Sequence, residues 1–267
     1  MTDAALARLQ EDVALADCDA SVHTTGKAGA PELVVQSEHT FSDHDDELLI
    51  ATRHLARDGV HTGGHMWNGS RHLARWLYAR RRLLPGLRVL ELGCGLALPS
   101  IVAASCGAGP VHATDSLPAL TEHALVNALA NACSLKAYAL DFTCRDEVER
   151  VITSRGPWDL ILFADCVYGG SCGGELPHAL ATLLSARPGA LAVGTFPSTF
   201  RTGVDEFFAQ CSSAQLRVAE QPCADKSGGR LYVFSAGAET KPDAAWGTVA
   251  EELSVVAPLF DDIEADC

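Results

Sequence analysis

The sequence has no uninterrupted run of 18 apolar residues, and its opening, MTDAALARLQEDVALADCD, carries acids where a secretory leader would carry bases and then an apolar stretch. A soluble, non-secreted protein of the cytoplasm or nucleus, with no membrane partner, is the expectation. It also lacks any C-x-x-C pair. Its ten cysteines are scattered at 18, 94, 106, 133, 144, 166, 172, 211, 223 and 267 of 267 residues, in a chain whose 48% hydrophobic content needs no disulfide staples. Several, such as Cys106 and Cys166, sit in apolar runs where a reduced thiol behaves as a small hydrophobe. No metal centre is expected, since the stretch His39–Asp46 has no metal-ligand spacing either. Positive charge is scarce: 34 acids face 20 Lys and Arg, a net charge of −14, and that field repels a phosphate backbone. Direct nucleic-acid binding is disfavoured. A basic partner segment suits the charge, although acidity also simply keeps proteins soluble. Internal repeats are absent.

What is present is alternation. From about residue 87, short β-rich runs (88–93, 111–115, 135–140, 159–165, 190–196, 216–221 and 230–236) alternate with stretches of helical spacing such as PALTEHALVNALANA and GELPHALATLLSA. Such a pattern predicts an α/β fold, a Rossmann-like doubly wound sheet of seven strands, mostly parallel, with its site at the carboxyl ends of the strands near the switch point. The last two runs are joined by CADKSGGR, too short for a parallel crossover, so the final strand is expected to enter antiparallel through a Gly228–Gly229 turn. Residues 1–64 read as an N-terminal extension packed on the core, with a helix at about 3–16 and LVVQ as a strand; 65–238 form the main domain, and 239–267 an acidic tail. SRHLARWLYARRR (70–82) reads as an amphipathic helix with cations in its last turn.

The sharpest local signal is VLELGCGLALPS (89–100). A strand that ends in Gly93-Cys94-Gly95 and enters a helix lets backbone approach a ligand closely. Asp115, ending VHATD twenty residues beyond Gly95, stands where a ribose diol would be held by a carboxylate. A dinucleotide fold would want a third glycine at 98, where this chain has Leu98, so a nucleotide-like ligand without the pyrophosphate of NAD fits better.

The run E-x-G-x-G, then Asp115, ALD at 139–141 and WDLILFADCVY at 158–168, resembles the seven-β-strand S-adenosylmethionine-dependent methyltransferases over roughly residues 60–236. More narrowly it is similar to their protein-lysine methyltransferase branch (methyltransferase family 16-like), whose D-x-x-[YF] motif appears here as Asp165-Cys166-Val167-Tyr168. The branch usually carries a third glycine where this chain has Ala97, and often Trp where it has Phe142. The resemblance implies S-adenosyl-L-methionine as cofactor. It places Glu91, Gly93, Cys94 and Gly95 around the methionine portion, Asp115 on the ribose, and Asp141 with Phe142 at the adenine. It sets Trp67 and Ala164 against the cofactor and gives Asp165 and Tyr168 catalytic roles.

Methyl transfer from a sulfonium demands in-line positioning and a free lone pair, and no enzyme nucleophile. A lysine acceptor must first lose a proton, at a cost of about 4–5 kcal/mol at pH 7. Desolvation beside the positive sulfur lowers that cost, and an aromatic face with a carboxylate aligns the ammonium; Tyr168 and Asp165 are the residues for this. His61, His65 and His178 are weaker general-base candidates, and Phe196, Pro197 and Phe200 are candidate acceptor-wall residues, unless that loop is a plain connection. The expected function is methylation of an accessible lysine on a protein partner by a monomeric enzyme. Methylation of a protein N-terminal amine or a small molecule, and a non-catalytic binding role, stay open; an NAD-dependent oxidoreductase is disfavoured by Leu98.

Overall fold

The computed structural model describes residues 36–42, 46–54, 62–168, 172–196, 202–221, 229–237, 250–251 and 253. The expected helix at 3–16, most of LVVQ, Gly228 and most of the acidic tail lie outside the described residues, as do His61, Pro197 and Phe200.

Two strands, β1 (Gln36–Ser42) and β2 (Glu47–Arg53), pair antiparallel as a hairpin. Helix α1 (Asn68–Ala79) leads into the main sheet. There β3 (Val89–Leu92), β4 (Val111–Asp115), β5 (Lys136–Ala139), β6 (Leu160–Ala164) and β7 (Leu191–Phe196) are parallel, and β8 (Leu216–Gln221) and β9 (Arg230–Ala236) complete seven strands in the order β5-β4-β3-β6-β7-β9-β8. All seven β-rich runs of the sequence are strands. The last one does run antiparallel, as the short connector requires, and it does so against both neighbours, inserted between β7 and β8.

The central strands VLEL and LILF are buried at every position, as strands covered on both faces must be. On one face lie α1, α2 (Leu98–Ser105) and the hairpin, packed through Leu73, Trp76, Leu77, Ile101 and Ile50. On the other lie α4 (Arg145–Arg155), α5 (Glu175–Ser185) and α6 (Val204–Ser213), packed through Trp158, Phe163, Phe207 and Phe234. Chain order reverses between β3 and β6, so the crevice beyond their carboxyl ends is the switch point where ligands bind in such sheets.

Helix α1 differs from its predicted span of 70–82. It starts at Asn68 and ends at Ala79, and Arg81–Leu83 tighten into a 3-10 turn ahead of Pro85 and the left-handed Gly86.

The hairpin is tied down by two amides of α3 (Pro118–Ala130) and the turn after it. Asn131 accepts from Ala51 N (2.8 Å) and donates to Ala51 O (2.7 Å). Asn127, fully buried, accepts from Arg53 N (2.9 Å) and donates to Leu96 O (3.1 Å) in the turn after β3. One side chain thus joins hairpin, helix and glycine turn. Replacing Asn127 with Leu takes this partner from the part-buried Arg53 amide and from the buried Leu96 carbonyl, so urea unfolding is expected to show a loss of about 1–3 kcal/mol. A loss below about 0.5 kcal/mol would show that the hairpin is not anchored this way.

Candidate active site

At the switch point the chain from β3 to α2 must reverse tightly. Gly93 (φ 60°), Gly95 (φ 49°) and Ala97 (φ 62°) all adopt left-handed backbone. Only Gly does this without strain, so Ala97, where the related pattern has a third glycine, costs about 1 kcal/mol and is held by complete burial. The two glycines are needed for neighbouring protein as much as for any ligand. A Cβ at 93 would come 2.7 Å from Cys166 Sγ, and one at 95 would come 2.8 Å from Gly63 O.

The cleft over this turn is lined by Trp67, Gly93, Cys94, Gly95, Asp115, Asp141, Phe142, Ala164, Asp165 and Tyr168. Residues from four strand ends and from the start of α1 are therefore brought together. Glu91 is the exception. Its side chain points away from the cleft, is 1% exposed, and accepts hydrogen bonds from the amide (3.0 Å) and hydroxyl of Ser100 in the first turn of α2. The carboxyl lies beneath the turn, against the start of α2, and is not part of the cleft lining. The acid follows the inward alternation of a strand buried on both faces, so its contact is the helix behind and not the crevice in front.

Asp115 is 9% exposed, with Oδ2 accepting from Gly95 N and Oδ1 from Leu117 N, each at 3.1 Å. Burial raises its pKa, while these amides pull the other way. Backbone amides orient both oxygens, and the carboxylate's four lone pairs leave capacity for a hydroxyl. Asp141 Oδ1 accepts from the amide (2.9 Å) and hydroxyl (2.6 Å) of Thr143, which fixes the loop that offers Phe142 to the cleft. Leu117 and Leu120 add apolar wall.

Trp67 precedes α1, is 38% exposed, and its indole Nε1 donates to Thr62 O at 2.9 Å. Tyr168 is 44% exposed. Asp165, in contrast, is 7% exposed, and its Oδ2 accepts from Gly69 N at 3.0 Å. Of the weaker candidates, His65 does line the cleft. His178 is exposed on α5, away from it, and Phe196 is buried among Phe163, Phe207 and Tyr232, so neither forms part of this site.

Sequence reasoning missed Thr62, Gly63, Met66 and Cys172 in the lining, of which the Gly63-Gly64 pair was a readable signal of close backbone approach. It also gave no hint that the helix amides are already engaged. Ser100 N is satisfied by Glu91, and Leu98 at the helix start is completely buried, which leaves no room there for a pyrophosphate.

A carboxylate at a strand tip, an apolar slot beside it, and an aromatic-rimmed opening with no phosphate cradle define the class of Rossmann-like methyltransferases. Residues 44–211, more than half of the chain, match the profile of a family described as lysine methyltransferase, and the chain belongs to that family. It is 49% identical over 49 residues to the histone-arginine methyltransferase METTL23 of Rattus norvegicus, covering 18% of this chain and 22% of that protein. It is 35% identical over 102 residues to the electron transfer flavoprotein beta subunit lysine methyltransferase of Xenopus laevis, covering 38% of this chain and 39% of that protein. These matches span well under half the length of either relative. Among solved structures, a candidate S-adenosylmethionine-dependent methyltransferase from Streptococcus mutans shares the fold, with a TM-score of 0.52 at 17% identity over 79% of this chain and 57% of that one.

Burial, with a smaller push from Asp115, raises the Glu91 pKa from 4.5 to about 8 in spite of the bonds from Ser100. The native carboxyl therefore keeps its proton where the unfolded one has lost it. Glu91 stabilises the fold fully below about pH 4.5, and that contribution falls away as pH rises toward 8. Glu91→Gln keeps an acceptor for Ser100 and removes the titration. The stability difference between pH 5 and pH 8, read from urea unfolding of the ligand-free protein, is expected to shrink by on the order of 2–4 kcal/mol. An unchanged difference would mean that Glu91 is ionised in the native state.

Proposed function

We propose that the protein transfers the methyl group of S-adenosylmethionine to a lysine side chain of another protein. The observation that carries this reading is Asp115. Its carboxylate closes the tip of β4 twenty residues after the glycine turn, and both oxygens are oriented by backbone amides toward a cleft without a phosphate site. Asp115 accepts the ribose hydroxyls, Phe142, Leu117 and Leu120 flank the adenine, and the backbone at Gly93–Gly95 lies along the amino-acid portion. When bound, the cofactor supplies an electrophilic methyl group on a cationic sulfur.

Catalysis by the protein is then orientation and desolvation. An acceptor lysine gives its proton to solvent as it enters past Tyr168, whose exposed ring offers a face to the ammonium. Lysine as acceptor is supported by family membership, and the net charge of −14 favours a basic segment around it. An arginine, an N-terminal amine or a small molecule is the rival acceptor.

The direct test is incubation with S-adenosylmethionine labelled on its methyl group and a cell extract, followed by hydrolysis of the labelled protein to amino acids. Label on methyl-lysine is the expected result; label on methyl-arginine or on an N-terminal residue would replace the acceptor, and no label above a boiled control would sink the activity. Two variants localise the chemistry. Asp115→Ala is expected to weaken S-adenosylhomocysteine binding by about 1–3 kcal/mol in calorimetry, through the lost hydrogen bonds to the ribose. Tyr168→Ala is expected to keep that affinity and lower turnover on the acceptor about tenfold, with Tyr168→Phe near normal. Loss of activity in Tyr168→Phe would shift the role from the ring face to the hydroxyl.

A further inference from the structure

Helix α1 begins without a local cap. The residue at its N-cap position is Trp67, whose side chain makes no capping hydrogen bond, so the orphan amides of the first turn must find partners elsewhere. Ser70 N turns back to Trp67 O at 3.1 Å. Gly69 N instead donates to Asp165 Oδ2 at 3.0 Å, across 96 positions of sequence. A carboxylate there meets both the amide and the positive end of the helix dipole.

The geometry around this contact is tight. Asp165 holds a left-handed backbone (φ 54°), which a residue other than Gly keeps only when its surroundings over-determine it, and its own amide donates to Thr195 O of β7 at 3.1 Å. A Cβ at position 69 would lie 2.6 Å from Asp165 Oδ2 and 2.7 Å from Thr195 Oγ1, so only Gly fits against the carboxylate. The residues that flank this anchor, Met66, Trp67 and Ser70, line the cofactor cleft.

We infer that Asp165 is a positioning residue: it caps α1 from across the molecule and so fixes the Trp67 wall of the cleft, acting on methyl transfer through that wall and not by holding the acceptor amine. This rests on the methyltransferase reading above and changes the role the D-x-x-Y motif had in the sequence. A carboxylate that is 7% exposed and bonded to a helix amide is poorly placed to meet a mobile substrate chain, whereas Tyr168, 44% exposed, is well placed.

The experiment has two arms on the full-length protein, amide hydrogen exchange at the start of α1 and calorimetric titration with S-adenosylhomocysteine, each for wild type, Asp165→Ala, Asp165→Asn and Gly69→Ala. Asp165→Ala is expected to speed exchange at the start of α1 and to weaken the ligand tenfold or more. Asp165→Asn, which keeps an oxygen for the Gly69 amide, is expected to remain within about threefold of wild type. Gly69→Ala, which disturbs the contact from the helix side, is expected to weaken the ligand as Asp165→Ala does. Unchanged exchange in Asp165→Ala would overturn the cap. Unchanged ligand affinity in Asp165→Ala with lost turnover on the acceptor would overturn the inference in favour of a direct contact with the amine. A wild-type protein that binds no S-adenosylhomocysteine would sink the proposed function and the role of the wall with it, and the exchange arm would still decide whether Asp165 caps α1.

Discussion

Gly93, Gly95 and Ala97, three alternate positions of one turn, sit in left-handed backbone, and the carboxyl edge of the sheet is arranged around that constraint. Such a turn is costly unless something holds it from every side. Here Cys166 packs against Gly93, the 62–64 turn closes over Gly95, Asp115 accepts from Gly95 N, and Asn127 reaches Leu96 O from below. Each contact comes from a different element, so the 62–64 turn, α3 with the hairpin it ties down, β4 and the end of β6 are all registered on the same turn. The cleft is the space these contacts leave.

The buried acids divide the work by depth. Glu91 lies behind the turn, where desolvation keeps it protonated at neutral pH, and satisfies an amide that a dinucleotide-binding fold would leave for phosphate. Asp115 lies at the surface of the cleft with lone pairs to spare. Asp165 lies across from it and braces the helix that carries Trp67. Three carboxyl groups at one sheet edge thus hold a turn, line the cleft and brace a helix end. The apolar surface between Asp115 and Tyr168 is what a thioether-linked nucleoside offers as its complement.

Much of this edge was legible in the sequence because its constraints are local. Left-handed backbone selects Gly, a fully buried parallel strand reads as a continuous apolar run, and an eight-residue connector cannot carry a crossover. What could not be read was set by contacts between distant segments. The amide partner of Glu91 is nine residues away and that of Asp165 is 96 away, and neither separation leaves a periodicity in the chain. Phe196, which ends a predicted strand and stands as an acceptor-wall candidate in the sequence, is in fact at the centre of an aromatic cluster, because burial depends on what β9 and α6 bring against it. The hairpin at 36–53 was masked by its composition, in which His39, Thr52 and His54 pair inward through hydrogen bonds where apolar residues would have announced a strand.

The central claim is that the cleft over the turn at Gly93–Ala97 holds an adenosyl cofactor with its sulfur facing Tyr168. A crystal structure of the protein with S-adenosylhomocysteine measures this directly. The account predicts ribose hydroxyls within hydrogen-bond distance of both Asp115 oxygens, the adenine against Phe142, and the sulfur open toward Tyr168, with Glu91 Oε2 still on Ser100. A ligand seated elsewhere, or an adenosyl group in this cleft whose ribose leaves Asp115 without contact, would contradict it.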